Sequence, residues 1–199
     1  MKRIMIMMLL GCLVFTACSK KTKKTVEKLS VERAVSLDKE YMFKQYEDTY
    51  CWFECCIVMK DYLDEETDGT VTGIANIFQV LQQKGSGYDT QVVKIAHILN
   101  ASDVEVVQGF WVEDFPLEDA EIKLTFEQAF DRLMATNLPK PHSKQCVLRK
   151  KVGPKACNPQ YIFGNIHEQV YVDATTGEVS TEDPAYAGLA TKKLKSVWP

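Results

Sequence analysis

Apolar positions recur at every second residue along residues 50–63, which predicts a β-strand with one strongly apolar face. A helix is the alternative, because Trp52, Cys55 and Met59 also share one face at a 3.6-residue period. Aromatic, cysteine and β-branched residues predominate, and a Thr-Asp-Gly-Thr turn follows at residues 67–70. These features favour the strand.

Three further stretches have the same β-rich composition, at residues 71–81, 91–99 and 104–112. Polar turn sequences with glycine or asparagine separate them. Because consecutive strands with short connections usually pair with each other, residues 41–115 are predicted to form an antiparallel β-rich lobe.

A second lobe is predicted over residues 116–181, and its clearest element is an amphipathic helix. Thr125 and Gln128 have the spacing of a capping box at its start. Its apolar stripe consists of Phe126, Ala129, Phe130, Leu133 and Met134. Short β candidates follow at residues 145–148, 161–163 and 169–172. Asp-Ala-Thr-Thr-Gly at 173–177 is predicted to form a turn after the last of them, with Gly177 at a positive φ. The predicted fold class is therefore α+β, with the β-rich lobe followed by a helix packed on a small antiparallel sheet, and with residues 182–199 as a tail.

The second lobe also resembles a known family. The carrying residues are Leu-Thr-Phe-Glu-Gln-Ala at 124–129, Pro139, and Tyr-Val-Asp-Ala-Thr-Thr-Gly-Glu-Val at 171–179. Their order is similar to that of PepSY domains, whereas residues 144–159 are longer and more basic than in that family. The resemblance implies a domain found in lipoproteins, membrane proteins and propeptides of secreted peptidases, with no catalytic residues and a role in binding or inhibiting peptidases or other proteins.

The N-terminus has the three parts of an export signal. Lys2 and Arg3 precede an uncharged run at residues 4–15, which is shorter than the roughly 20 residues that span a bilayer. Phe-Thr-Ala-Cys at 15–18 resembles the lipobox of bacterial lipoproteins. We therefore expect a signal peptide at 1–17 and a lipid on Cys18 that anchors the chain to a membrane of the bacterial cell envelope. An ordinary signal peptide cleaved before Cys18 is the alternative.

Residues 18–40 are predicted to be a basic, flexible tether, because lysines crowd its first half and residues 19–25 are polar, without periodicity. The whole chain has nearly equal numbers of basic and acidic residues, 24 and 27. Beyond residue 30, however, 17 basic and 26 acidic residues remain, so the rest of the chain is acidic. Such an acidic body argues against nucleic acid as a partner.

Five cysteines remain once Cys12 and Cys18 are set aside. Cys146 and Cys157 are a candidate disulfide in an oxidising compartment, with two reduced thiols as the alternative. The other three, at positions 51, 55 and 56, are interpreted as small core residues. No metal site and no cofactor are predicted, because the chain has no Cys-x-x-Cys pair and no glycine-rich phosphate loop.

Two groups of residues are candidates for binding. The basic group is Lys144, Arg149, Lys150 and Lys151, for which a solvated loop is the alternative. The aromatic group is Trp52, Trp111 and Tyr161, for which core packing is the alternative.

Together these features predict a membrane-anchored, non-catalytic binding module for a protein or peptide, of the kind that includes peptidase inhibitors. The alternative is a thiol-dependent or hydrolytic enzyme that combines the cysteine-rich strand with one of the three histidines, at positions 97, 142 and 167.

Overall fold

The computed structural model describes residues 29–60, 69–98 and 101–188. The predicted signal peptide, the lipidation site Cys18 and residues 189–199 of the predicted tail lie outside the described residues. No helix in the described part of the chain is both long and apolar enough to cross a membrane.

Two helices and nine strands make up the described part. The helices are α1 (Val31–Tyr46) and α2 (Phe126–Met134). The strands of the first half are β1 (Tyr50–Met59), β2 (Val71–Lys84), β3 (Gly87–Ile98), β4 (Ala101–Gln108) and β5 (Asp114–Phe115). Those of the second half are β6 (Gln145–Lys151), β7 (Gln160–Phe163), β8 (Val170–Asp173) and β9 (Val179–Ser180).

All nine strands belong to one antiparallel sheet, ordered β4-β3-β2-β1-β6-β7-β8-β9, with β5 paired to β6. The predicted α+β class with a separate small second sheet is therefore wrong. β1 pairs with β2 on one side and with β6 on the other, so Ile57 faces both Ile74 and Cys146. The strands of both predicted lobes thus share one sheet. Only 17% of the described residues are helical, and the fold is β-rich.

The predicted strand is confirmed over residues 50–59 as β1, whereas residues 61–63 lie outside the described residues. Its predicted face changes at a bulge between Trp52 and Glu54. The extra residue shifts the alternation by one position. As a result Trp52 joins Cys55 and Ile57 in the buried core, whereas Cys51 is exposed.

Residues 31–40 do not form a tether, because they are the first ten residues of α1. Ser30 caps this helix by accepting a hydrogen bond from the Arg33 amide. Its buried residues are Val31, Ala34, Val35, Asp38 and Met42, which recur at helical spacing and contribute to the core of the sheet. The aspartate in the middle of this stripe interrupts the apolar pattern, which is why the periodicity is hard to detect in the sequence.

The predicted amphipathic helix is confirmed as α2, with the predicted capping box between Thr125 and Gln128. The turn after β8 is also as predicted: Gly177 has a φ of +79°, and its amide donates to the carbonyl of Asp173. This turn also contacts the segment that leads into α2, because the amide of Leu124 donates to the carbonyl of Ala174 at 3.0 Å.

Candidate functional site

Arg149, one of the predicted binding cations, lies on β6 within a group of carboxylates. Its Nε donates to Asp114 Oδ1 at 2.6 Å, and its Nη1 lies 3.8 Å from Glu54 Oε2. Asp114 and Glu54 are both buried, and burial raises the pKa of both carboxyls. Arg149 therefore compensates buried negative charge within the protein and is not presented to a ligand.

The other predicted cations do not form one basic surface with Arg149. The Nζ of Lys150 lies 2.6 Å from Glu121 Oε1, and Lys151 forms an ion pair with Asp183. Lys144 is half-buried, and its carbonyl accepts a hydrogen bond from the Met59 amide. Because neighbouring residues of a strand point to opposite faces, the run 149–151 cannot place all its charges on one side. The structure therefore does not gather the predicted basic group on one surface, and Arg149, Lys150 and Lys151 each have an acidic partner within the chain.

The structure also separates the predicted aromatic group. Trp52 and Tyr161 are buried in the core, where the Tyr161 hydroxyl donates to the Leu124 carbonyl at 3.0 Å. Trp111 is half-buried, and its Nε1 donates to Asp114 Oδ2 at 3.0 Å. Each ring serves packing or internal hydrogen bonding, and the three do not form a shared exposed surface.

The structure does not bring Cys146 and Cys157 together, and both are free thiols. Cys146 on β6 pairs with Phe163 on β7. The Arg149–Gln160 pair, beyond which the loop containing Cys157 begins, lies three residue pairs further along the same ladder. That is about 10 Å along the strands, beyond the reach of roughly 7 Å between the Cα atoms of a disulfide.

The described cysteines have raised pKa values. Burial raises the pKa of Cys55 and Cys146 well above the ordinary value. Burial, followed by the charge of Glu54, raises the pKa of Cys56 to about 12, and its Sγ donates to Glu54 Oε1 at 2.9 Å. At neutral pH these thiols stay protonated, which is the opposite of what a nucleophilic cysteine requires.

A polar relay that joins α1 to β2, β3 and β4 was not anticipated from the sequence. The His97 Nε2 lies 2.7 Å from Asp38 Oδ1, and its Nδ1 lies 2.8 Å from Ser102 Oγ. Asn76 donates to the second oxygen of Asp38 at 2.7 Å. Asp38 is buried on α1 while Ser102 is exposed on β4, so the relay runs from the core to the surface. Residues this far apart in sequence give no local signal.

The sheet ends at β4, which pairs only with β3 among the described strands. All eight residues of β4 are exposed. Val104, Val106 and Val107 are between 39% and 52% exposed, and Phe110 just beyond the strand is 67% exposed. We call residues 101–108 the β4 edge. It combines unpaired backbone groups with apolar side chains, which natural proteins usually avoid at a sheet edge.

A cleft of about 370 Å³ lies between α1 and the segment before α2. Trp52 and Tyr161 line it but are nearly inaccessible. The Lys39–Asp119 ion pair links α1 to this segment. A hydrogen bond of 2.9 Å from the Phe126 amide to Glu32 links α1 to the start of α2. In the described part of the chain, no group of three or more His, Cys, Asp or Glu residues is arranged to hold a metal ion.

Comparison with known proteins gives no relative: no protein-family model, no curated protein and no solved structure matches this chain.

Replacing Arg149 by Met tests the charge compensation at β1 and β6. The substitution leaves Glu54 and Asp114 buried without their cation, so we expect the free energy of unfolding at pH 7 to fall by about 3–5 kcal/mol. Because burial raises the pKa of both carboxyls, they take up protons as the pH falls, and the loss should shrink between pH 7 and about pH 4. Urea unfolding at several pH values measures this.

Lys150→Met is the matched control, since its partner Glu121 is about one-third exposed. We expect a change within about 1 kcal/mol and little dependence on pH. Equal losses in the two variants would contradict the role assigned to Arg149.

Proposed function

We propose that this protein is a membrane-anchored, non-catalytic binding module of the bacterial cell envelope. Its lipid anchor is on Cys18, and it binds a protein or peptide through the β4 edge. Peptidase inhibition, which the resemblance of residues 124–179 to PepSY domains implies, is one form that such binding takes.

The observation that carries this proposal is the concentration of exposed apolar side chains around the β4 edge. More than half of the large exposed hydrophobic side chains in the described residues lie on β2, β3, β4 and the segment after β4. They are Leu81, Tyr88, Ile98, Val104, Val106, Val107, Phe110 and Val112. An accumulation of this kind is typical of a surface that a partner covers.

The energetics also favour a partner at this edge. Burying one valine side chain completely contributes about 1.5–3 kcal/mol, so covering the half-exposed Val106 and Val107 contributes roughly that amount together. Unpaired strand backbone adds hydrogen bonds to the same contact. The apolar contacts and the backbone hydrogen bonds would both form at the β4 edge.

Site-specific cross-linking in cells tests the β4 edge. With the photoreactive amino acid p-benzoylphenylalanine in place of Val107 in the full-length chain, we expect defined covalent adducts after irradiation. The second substitution Val106→Lys should reduce their yield by about 5- to 30-fold, because it removes apolar contact and buries an ammonium group.

Phe43 provides the matched control, because it is 56% exposed on α1, a different element. Phe43→Lys should leave the adduct yield from position 107 unchanged. If Val106→Lys also leaves the yield unchanged, the β4 edge is not the binding surface and the proposal fails.

The anchor is tested by metabolic labelling with radioactive palmitate. We expect the wild-type chain to incorporate label and Cys18→Ala to lose it, because the thiol at position 18 is the acylation site of the lipobox. Cys51→Ala is the control, since it removes an exposed thiol elsewhere in the chain. Equal labelling of wild type and Cys18→Ala would remove the anchor from the proposal.

The Ser102–His97–Asp38 relay favours a second candidate function, hydrolysis by a serine nucleophile. When His97 donates from Nε2 to Asp38, its Nδ1 accepts a hydrogen bond from the Ser102 hydroxyl, which is the arrangement that activates a serine for acyl transfer. Under this candidate the relay is catalytic, whereas under the binding proposal it fastens α1 to β3 and β4.

A fluorophosphonate probe distinguishes these two functions. A catalytic relay requires covalent labelling at Ser102 that Ser102→Ala and His97→Gln abolish. Under the binding proposal we expect no labelling of the native protein, and a decreased melting temperature for His97→Gln. Labelling at Ser102 detected by mass spectrometry would establish the second candidate.

A further inference from the structure

The free side of β4 has a defined set of backbone groups. The Gly109 amide donates to the Thr90 carbonyl at 3.0 Å, which marks this pair as a hydrogen-bonded pair of the β3–β4 ladder. In an antiparallel ladder the backbone groups of successive residues point alternately inward and outward. Odd-numbered residues of β4 therefore bond to β3, whereas the amides and carbonyls of Ser102, Val104, Val106 and Gln108 point away from the sheet.

The side chains along this edge also alternate in chemistry. Val104 and Val106 lie on the face that carries Val93 and Ile95 of β3, both of which are buried core residues. Asp103 and Glu105 lie on the opposite face. Neither of these carboxylates has an ion-pair or hydrogen-bond partner among the residues that the structure describes.

A second copy of the chain is a poor occupant of this edge. In an antiparallel pairing of two β4 strands over residues 102–108, Glu105 stands opposite its own copy. A shift by two residues towards the start of the strand sets Asp103 opposite Glu105. Like charges directly opposite each other destabilise a strand pair, so these carboxylates oppose self-association through the β4 edge.

The same carboxylates favour a partner with basic side chains. We propose that the β4 edge accepts an extended segment of another protein as a tenth strand, and that this segment alternates apolar and basic residues. Its apolar side chains pack beside Val104 and Val106, its basic side chains face Asp103 and Glu105, and its backbone pairs with the outward groups of β4. This inference rests on the proposed function and specifies the class of ligand.

Three fluorescein-labelled octapeptides test this inference against the full-length protein by fluorescence anisotropy. One alternates valine and lysine, one alternates valine and glutamate, and one is the lysine peptide with N-methyl groups on alternate residues. We expect the lysine peptide to bind at least about tenfold more tightly than the glutamate peptide, because two cross-strand pairs change from attractive to repulsive. The N-methylated peptide should bind weakly, because it lacks the amides that pair with β4.

Glu105→Lys should reduce the preference for lysine over glutamate by at least threefold. The matched control is Glu127→Lys, which makes the same charge change at an exposed position of α2. Val106→Pro removes one outward amide and is compatible with a free edge, so it should weaken binding of the lysine peptide while the circular dichroism spectrum is retained. If Val106→Pro unfolds the protein, the Glu105→Lys comparison still decides.

An equal effect of Glu105→Lys and Glu127→Lys would overturn the inference, because it would show attraction to the acidic body as a whole. Equal binding of the N-methylated peptide would overturn strand addition. If these results coincide with a cross-link at position 107 that Val106→Lys abolishes, the proposed function stands and only the mode of binding is wrong. If the β4 variants retain both the cross-link and peptide binding, the inference and the proposed function both fail.

Discussion

The pairing of β1 with β6 is the contact on which the rest of the structure depends. It joins the four-strand meander β1–β4 to the second half of the chain, and it places Cys55 and Ile57 beside Leu148 and Cys146 at the centre of the core. Without this ladder each half would expose an edge and an apolar face. The fraction of surface buried on folding rises with the size of a domain, so one shared sheet buries a larger fraction of the chain than two separate halves would.

Buried charged side chains lie at the same β1–β6 junction, and removing them from water costs free energy. Arg149 on β6 compensates Glu54 on β1 and Asp114 on β5, so three strands converge on one guanidinium. Buried ionic groups are costly unless each has its partner, which makes this junction specific for one arrangement of strands. A second polar contact, between Asp38 and His97, fixes α1 over the outer half of the sheet. Both contacts connect segments that are distant in sequence.

The β4 edge follows from this arrangement. With β1 and β6 at the centre, the meander runs outward and leaves β4 as its terminal strand. Among the described elements, β3 pairs with one side of β4 and no strand pairs with the other side. The alternating valines and carboxylates of β4 are exposed. The proposed binding function and its preference for a basic, extended partner both depend on this position at the edge.

The sequence by itself determined the local elements. The alternation at 50–63 predicted β1, the capping box predicted α2, and the Asp-Ala-Thr-Thr-Gly turn predicted the positive φ of Gly177. These succeed because hydrogen bonds between near neighbours and the side-chain period are local properties. The helix α1 was missed because Asp38 interrupts its apolar stripe, and the partner of that carboxylate, His97, lies on a distant strand.

Only the tertiary structure decided which strands are neighbours and which side chains are exposed. Basic residues at 149–151 and aromatic residues at 52 and 161 were predicted to bind ligands, yet the fold supplies the former with carboxylates and buries the latter. The β4 edge gave no distinctive motif, because a strand's position at an edge depends on the pairing of all other strands. Residue type and spacing record local preference, whereas burial and charge compensation depend on segments that meet only in the folded chain.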